Sequence, residues 1–451
     1  MTGGMNILLI TADDMSADTP GCFGGHPAAT PAIDRLAGQG MRFEKAHVPI
    51  AVCQPSRSAL ITGLWPHRNG AEGFGPIRPG VPVLTDLLRD AGYRCGILGK
   101  VEHLQPVDRF GWELVRTRDE LGAGRDPAAY ASAAAGFMAR GRPWFLMANA
   151  HDPHRPFHGS DQEREMFAEE TRERIPAPSK TFGPDDVDVP GFLPDLPGVR
   201  LEIAEYHGSA RRCDDVVDAL LTVLDGSGER DRTLVVFLSD NGMAFPYAKA
   251  NCYLQSTRTP LVVRWPGRAR PSSVDARHFV SGLDLFPTVC EAAGVAPPGD
   301  IDGRSIVPLL EGGHEPGRDH IVTTFHETSA KERFEMRAIQ TSRFGYIWNH
   351  WSDGVPRYRA ENMSGRTWAA MLQNAEHDPA VLARTDFYLR RAPEEFYDLA
   401  DDPHGLTNLI ADASRDGDIA ELRTRLADTL AGTDDPLYDT YRSDVMVERA
   451  P

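Results

Sequence analysis

The feature that most constrains the fold of this chain is an alternation, over its first two thirds, of short apolar runs with segments of helical periodicity. This alternation is typical of a mostly parallel sheet flanked by helices, because each parallel strand needs a crossover to return to the same end of the sheet. We therefore predict an α/β fold. The predicted strands are residues 6–12, 94–98, 144–148, 234–238 and 260–263.

Helices are expected at residues 31–37, 84–90, 204–224 and 285–293. At the first of them, Thr30 suits the N-cap and Pro31 suits the first turn. The stretch from about residue 159 to residue 199 is rich in proline and charge, which predicts a long excursion from the regular fold. Long insertions of this kind usually serve as lids or binding loops.

A polar, turn-rich linker at residues 312–317 divides the chain. We predict a larger domain over residues 1–315 and a smaller, antiparallel-sheet α+β domain over residues 316–451. Within the smaller domain, residues 336–340 and 344–348 are expected to form paired antiparallel strands, and residues 419–430 a terminal helix.

The composition excludes several classes of partner. The 451 residues carry a formal charge of −17, whereas nucleic acids and anionic membrane surfaces are bound by clustered Lys and Arg. No apolar run approaches the roughly 20 residues that a membrane span needs. Residues 1–5 lead straight into the first apolar run, which ends in Asp13 and Asp14, so we expect no signal peptide and a cytoplasmic protein. The sequence leaves the oligomeric state open.

Polar residues follow four of the predicted strands, and this placement carries functional information. In an open parallel sheet, ligands bind beyond the carboxyl ends of the strands. Any one of these residues could be an N-cap or lie on a solvated loop, but four such sites are expected to meet. Their oxygen ligands suit calcium or magnesium rather than zinc. The residues are Asp13 and Asp14, Lys100 and His103, His151 and His154, and Asp240 and Asn241.

The six cysteines show neither metal-ligand spacing nor the density of a disulfide framework. Five of them are expected to be packing residues. The sixth, Cys53, opens the run Cys53-Gln54-Pro55-Ser56-Arg57, which is predicted to be a loop that enters a helix at Pro55 and stops at Gly63. A helix N-terminus favours an anion, although on physical grounds alone Cys53 could equally be a buried thiol.

This run resembles the sulfatase family, in which a Cys-x-Pro-Ser-Arg motif, with Thr-Gly five residues after the Arg, directs oxidation of the cysteine to formylglycine. The family's opening Asp-Asp is also present as Asp13-Asp14, and its Ser-Asp-Asn-Gly as residues 239–242. The resemblance covers essentially the whole chain, down to Phe-Tyr-Asp-Leu at residues 396–399. It implies an alkaline-phosphatase-like α/β domain, with a small C-terminal sheet domain that completes the substrate cleft.

Within the family, the chain is most similar to the sulfamidases, the N-sulfoglucosamine sulfohydrolases. Residues 151–155, His-Asp-Pro-His-Arg, and residues 336–340, Met-Arg-Ala-Ile-Gln, both look like that branch. Two features depart from it. Two residues separate Lys100 from His103 where the sulfamidases have one, a spacing that other sulfatases share, and Lys249 stands where sulfamidases carry an arginine.

The resemblance implies that Cys53 is converted to formylglycine by a formylglycine-generating enzyme, and that the hydrated aldehyde is the nucleophile. A divalent cation, Ca²⁺ or Mg²⁺, would lie against it. The implied metal ligands are Asp13, Asp14, residue 53, Asp240 and Asn241.

The same resemblance implies the remaining catalytic roles. Arg57 would hold the hydrate, and Lys100 would bridge it to the sulfate. His103 would be the base that regenerates the aldehyde. His151 and Lys249 would bind the sulfate and serve the leaving group.

The expected activity is hydrolysis of a sulfamate on an amino sugar of the N-sulfoglucosamine type. The alternatives are, in order, an O-sulfate ester hydrolase, a phosphonate or phosphate monoester hydrolase, and a non-catalytic anion-binding protein if Cys53 is never oxidised. His154 is expected to support the site or to face the substrate. Glu327 and Arg337 either reach a sugar or have a structural role in the small sheet.

Overall fold

The computed structural model describes residues 4–141, 143–355 and 357–446. Within these residues the strands are β1 (Asn6–Ala12), β2 (Met41–Phe43), β3 (Ala46–His47), β4 (Arg94–Leu98), β5 (Leu114–Arg116), β6 (Trp144–Asn149), β7 (Thr233–Ser239), β8 (Leu261–Arg264), β9 (Ser273–Asp275), β10 (Val280–Ser281), β11 (His320–Glu327), β12 (Arg333–Thr341), β13 (Phe344–Asn349) and β14 (Glu394–Asp398). The α-helices are α1 (Pro31–Gln39), α2 (Cys53–Thr62), α3 (Pro66–Asn69), α4 (Leu84–Asp90), α5 (Pro127–Met138), α6 (Asp161–Met166), α7 (Glu169–Arg174), α8 (Pro197–Gly226), α9 (Leu254–Thr257), α10 (Leu285–Ala293), α11 (Val307–Leu310), α12 (Arg366–Asn374), α13 (Pro379–Arg390), α14 (Asp416–Gly432) and α15 (Tyr438–Tyr441).

The larger sheet has the strand order β5-β4-β6-β1-β7-β8-β2-β9 among the described residues. The first five strands in this order, from β5 through β4, β6 and β1 to β7, run parallel. Strand β8 pairs antiparallel with both β7 and β2. Successive residues of β1 enter opposite cores, Ile7 and Leu9 on one face and Leu8 and Ile10 on the other. Burial of both faces explains why the central strands are continuous apolar runs in the sequence. The predicted mixed, mostly parallel sheet flanked by helices is confirmed.

The smaller sheet has the antiparallel order β11-β12-β13-β14, and helix α14 packs against it through a separate apolar cluster. The predicted pairing of β12 with β13 is confirmed, with Met336 opposite Asn349. The Thr324 N–H of β11 donates to the Pro49 carbonyl at 2.8 Å. This bond ties the small sheet to the loop that leads into Cys53. The domain boundary between residues 315 and 316 stays a prediction.

The N-termini of helices α8 and α1 differ from the sequence-based expectation, α8 in its first residue and α1 in its cap. Helix α8 begins at Pro197 rather than residue 204, so the excursion predicted over residues 159–199 ends earlier and contains α6 and α7. Thr30 does occupy the N-cap position of α1, but its side chain does not cap the helix. The Asp214 carboxylate instead accepts the N–H groups of Ala32 and Ile33, at 2.8 to 3.0 Å.

Over the residues that the structure describes, no helix combines the length and the apolar character that a membrane span requires.

Candidate active site

The candidate site lies where the parallel strands β1, β4, β6 and β7 end. The residues that follow them are delivered to one edge of the sheet because these strands point the same way. Two of the turns use left-handed backbone at non-glycine residues, with φ of 67° at Asp14 and 52° at Lys100. Such conformations cost about 1 to 3 kcal/mol each and persist where the surrounding structure enforces them.

Four oxygen-bearing side chains form an acidic cluster at this edge. Asp14 N–H donates to Asp240 Oδ1 at 3.1 Å, and Asn241 Nδ2 donates to Asp14 Oδ1 at 2.7 Å. Asp13, Asp14 and His154 also offer ligand atoms that all lie within 4.8 Å of one another. The cluster brings together four of the five predicted metal ligands, all but residue 53, and adds His154, which was predicted to support the site or face the substrate rather than to bind the metal.

The acidic cluster fits a hard divalent cation. Within the described residues, several of its buried oxygens accept no hydrogen bond, namely Asp13 Oδ1, Asp14 Oδ2 and Asn241 Oδ1, whereas Asp13 Oδ2 and Asp240 Oδ2 each face a cation. Burial, together with the charges of Asp13 and Asp14 and against the opposing charge of Arg57, raises the pKa of Asp240 to about 7. Unpaired, mutually repelling oxygens of this kind are the donor set that calcium or magnesium binds.

Three buried cations each face one carboxylate of the cluster, so the site is close to electrically balanced before any cation binds. An added divalent ion would therefore make it net positive, which suits an anionic substrate. The pairs are Lys100 with Asp13, Lys249 Nζ with Asp14 Oδ1 at 2.7 Å, and Arg57 Nη2 with Asp240 Oδ2 at 2.7 Å.

Cys53 is the first residue of α2, so the helix begins two residues earlier than the predicted start at Pro55. The helix ends, as predicted, before Gly63, whose φ of 67° is left-handed. Cys53 is only 3% exposed and lines the cavity described below. Burial raises the pKa of its thiol to about 12, although Lys249 opposes this rise. An unmodified Cys53 thiol is therefore protonated at neutral pH and is a weak nucleophile.

Arg57 is held by a buried hydrogen-bond network that sequence reasoning missed. Its Nη1 donates to Thr11 Oγ1 at 2.7 Å and to Asn149 Oδ1 at 2.6 Å. The Asn149 Nδ2 in turn donates to the carbonyls of Leu98 and Gly99, at 3.2 and 3.0 Å. Asn149 thus connects Arg57 to the strand end that carries Lys100. The sign of this network in the sequence was Asn149 itself, a single amide at the end of the otherwise apolar run that forms β6.

The histidines near the cluster are held neutral. Burial, reinforced by Lys100, lowers the pKa of His103 and of His151 well below the usual range. Burial also lowers the pKa of His154 to about 4, although Asp14 opposes it. By contrast, Asp14 holds the pKa of Lys249 well above its usual value despite burial. At neutral pH, therefore, Lys249 carries a proton to donate and the histidines can accept one.

The loop that carries His151 and His154 is clamped by a buried ion triad. Asp152 accepts from Arg125 Nε at 2.8 Å and from Arg212 Nε at 2.6 Å. Arg125 Nη2 also donates to the His154 carbonyl at 3.0 Å. This triad fixes the backbone on which the two histidines are mounted.

A cavity of about 800 Å³ opens above Cys53. Lys100, His103, His151, His154 and Lys249 line its floor with Cys53, and α6, α7 and the loops around residues 118, 329 and 361 supply walls. The predicted excursion is therefore part of the cavity.

Arg337 does not reach the cavity. It is fully buried and forms two bonds with Asp435, at 2.6 and 3.0 Å. Glu327 packs against Gly73, where an added β-carbon would lie 2.2 Å from Glu327 Oε1. The contacts of both residues are those expected of a structural role rather than of sugar binding.

Comparisons with known proteins agree with this geometry. The family model described as "Sulfatase" matches residues 5–295, and the model described as "N-sulphoglucosamine sulphohydrolase, C-terminal" matches residues 244–355. The chain is 30% identical to human N-sulphoglucosamine sulphohydrolase, over 96% of this chain and 91% of that protein. It is 27% identical to an ulvan-active sulfatase of Formosa agariphila, over 90% of this chain and 76% of that protein.

Solved structures with the same fold include one described as bound to its substrate D-glucosamine-2-N,6-O-disulfate. It has a TM-score of 0.71 and 19% identity, and the match covers 99% of this chain and 100% of that one. The phosphonate monoester hydrolase of Agrobacterium radiobacter has a TM-score of 0.68 and 21% identity, with 95% of each chain covered.

Proposed function

Because this chain belongs to the sulfatase family, we propose that it is a hydrolase that cleaves the N-sulfo group of an amino sugar, using Cys53 in its formylglycine form. The observation that carries the proposal is the meeting of Cys53 and protonated Lys249 on the floor of one cavity, with Lys249 paired to Asp14 of the acidic cluster. The similarity to N-sulphoglucosamine sulphohydrolase over nearly the whole chain supports an N-sulfate over an O-sulfate.

An unmodified cysteine thiol does not suffice as the nucleophile at position 53. Since burial keeps the Cys53 thiol protonated at neutral pH, oxidation of this residue by a formylglycine-generating enzyme is part of the proposal. The hydrated aldehyde supplies one hydroxyl to attack sulfur and a second whose deprotonation releases the sulfate. His103 is suited to take that proton, because it lines the cavity and is neutral at pH 7.

Asp13, Asp14, Asp240 and Asn241 would hold the divalent cation, which supplies Lewis-acid polarisation of a sulfate oxygen. Arg57 contacts Asp240, Thr11 and Asn149 through its two Nη atoms, so its part is to orient the cluster beneath residue 53. Lys100 and Lys249 both line the cavity and neutralise the charge of the bound sulfate.

Cleavage of an S–N bond requires a proton donor, because an unprotonated amine anion is a very poor leaving group. Lys249 is the residue suited to this task, since Asp14 keeps it protonated. His151, neutral in the same cavity, accepts hydrogen bonds rather than supplying the proton.

The proposal is tested by a panel of substrates, using protein whose residue 53 has been confirmed as formylglycine by mass spectrometry. We expect kcat/KM for glucosamine N-sulfate to exceed the values for glucosamine 6-O-sulfate, an aryl sulfate and phenyl phosphonate by about 100-fold or more. The Cys53→Ala variant supplies the background rate. If an O-sulfate or the phosphonate is the best substrate, the N-sulfate assignment is wrong.

A further inference from the structure

Two arginines enter the walls of the cavity from separate segments of the chain. Arg118 belongs to the turn that follows β5, and Arg174 ends α7. The two segments meet at Gly122, where an added β-carbon would lie 3.7 Å from the Arg174 carbonyl. The arginines therefore belong to one side of the cavity, although 56 positions separate them in the sequence.

Arg118 is mounted beside His151. Gly124 N–H donates to the Arg118 carbonyl at 2.8 Å, and His151 N–H donates to the Gly124 carbonyl at 3.0 Å. A β-carbon added to Gly124 would lie 2.8 Å from His151 Cβ and 3.4 Å from Arg118 Cγ. The aliphatic stem of Arg118 thus runs alongside His151 on the cavity floor.

These two cations differ from those on the floor, which are already paired with buried carboxylates. The described residues place no carboxylate oxygen within 4.0 Å of the Arg174 guanidinium. Arg118 has one such neighbour, Asp119, at 3.8 Å, but the Asp119 side chain is 92% exposed. Exposed ion pairs of this kind contribute little, so both guanidinium groups are available to a ligand.

We propose that Arg118 and Arg174 form a second anion subsite, which binds a sulfate or carboxylate of the substrate other than the sulfate that is cleaved. A guanidinium fork matches the oxygens of either group. The cavity is also lined by three carboxylates, Glu102, Asp119 and Glu361, and Glu361 accepts a hydrogen bond from Ser329 at 3.2 Å. The inference rests on the proposed function for the position of the cleaved sulfate.

The test uses equilibrium binding to calcium-loaded Cys53→Ala protein, which cannot turn over. The ligands are glucosamine N-sulfate, its 6-O-sulfated form and its 6-carboxylate analogue, which separate the two kinds of anion. We expect the Arg118→Gln/Arg174→Gln double variant to weaken binding of at least one doubly anionic ligand by about tenfold or more. Its affinity for the monosulfate should stay within about twofold of the parent.

Arg116→Gln is the matched control. It removes the same charge two residues away, from an exposed strand residue outside this cavity, and should change neither affinity. If the double variant weakens all three ligands equally, or none, the subsite is refuted. Turnover by the formylglycine form is measured separately. Selective binding without N-sulfate cleavage would overturn the proposed function and leave the subsite intact.

Discussion

The floor and the rim of the cavity are built by different means. The floor, made of Cys53, Lys249 and the residues after β4 and β6, is largely buried and is positioned by the parallel sheet. The rim is carried by short helices and loops, and Met166 there is 61% exposed. A residue locked by several partners can hold a reacting atom in place, whereas an exposed one can adapt to the substrate. Substitutions on the floor should therefore change kcat, and those on the rim KM.

The largest expected effect is that of Cys53→Ala. Loss of the nucleophile should lower kcat by at least about 10⁴-fold. Removal of one buried sulfur should cost only about 1 kcal/mol of unfolding free energy. Steady-state assays and urea unfolding measure the two quantities. Cys95→Ala, the same change at a buried position away from the cavity, should keep full activity. Substantial turnover by Cys53→Ala would contradict the assignment of Cys53 as the nucleophile and, with it, the catalytic role of the floor.

Removal of divalent cations should lower the rate by about 10³-fold, because a Lewis acid contributes several kcal/mol. It should also lower the melting temperature, since the acidic cluster would lose its ligand. Calcium and magnesium added back separately would show which ion restores both properties. The same melting shift is expected in Cys53→Ala protein. Unchanged rate and stability after exhaustive chelation would contradict the metal assignment.

Asn149→Ala should lower kcat by about 10- to 100-fold with little change in KM, as loss of an orienting residue behind a functional group typically does. The substitution removes an acceptor from Arg57 and two donors from the strand end before Lys100. Asn149→Asp keeps the acceptor and should retain more activity. A loss of stability without a loss of kcat would make Asn149 purely structural.

The pH dependence should reflect the neutral histidines of the floor. Since burial and Lys100 lower the pKa of His103, its base form persists below pH 6.5, and kcat should fall about tenfold per pH unit only below the lowered pKa. His103 and His151 bind protons more readily when unfolded, so unfolding free energy should decrease as pH falls below about 6.5. Rate profiles and urea unfolding at pH 7.5 and 5.5 check both. An acid limb centred at 6.5 or higher would exclude His103 as the base.

The smallest effect is expected on the rim. Met166→Ser should raise KM by about two- to threefold and leave kcat unchanged, because an exposed side chain contributes little burial. A large fall in kcat would erase the distinction between floor and rim.

The distinction between floor and rim also decides how much of the site could be predicted from the sequence. The strand ends and their polar residues were accessible, because an apolar run reports a buried strand and parallel topology fixes where such strands end. Strands β1 and β4 have the predicted bounds. Asn149 was missed since its partners come from strand β1, helix α2 and the end of strand β4, which no local pattern reveals.

Non-local contacts explain the other differences. Helix α1 is capped by Asp214, 182 residues away from Ala32. The first turns of α8 contain Gly198 and Val199, which disfavour a helix. A β-carbon added to Gly198 would lie 3.0 Å from Ala370 Cβ of α12, and this close packing of α8 on α12 overrides propensity. The rim helices α6 and α7 have six residues each, too few for a periodic signal.

The depth of Cys53 has a consequence for how the active protein is made. In the folded chain every residue of α2 is buried, and the small sheet closes over the loop before it. If Cys53 is oxidised as proposed, a maturation enzyme that must bind the residues around it cannot reach them once the two sheets have docked. The yield of formylglycine would then be set by the relative rates of oxidation and folding rather than by an equilibrium. Slower folding would raise the modified fraction. Molecules that fold before oxidation would keep Cys53 as a thiol and would have the same fold without activity.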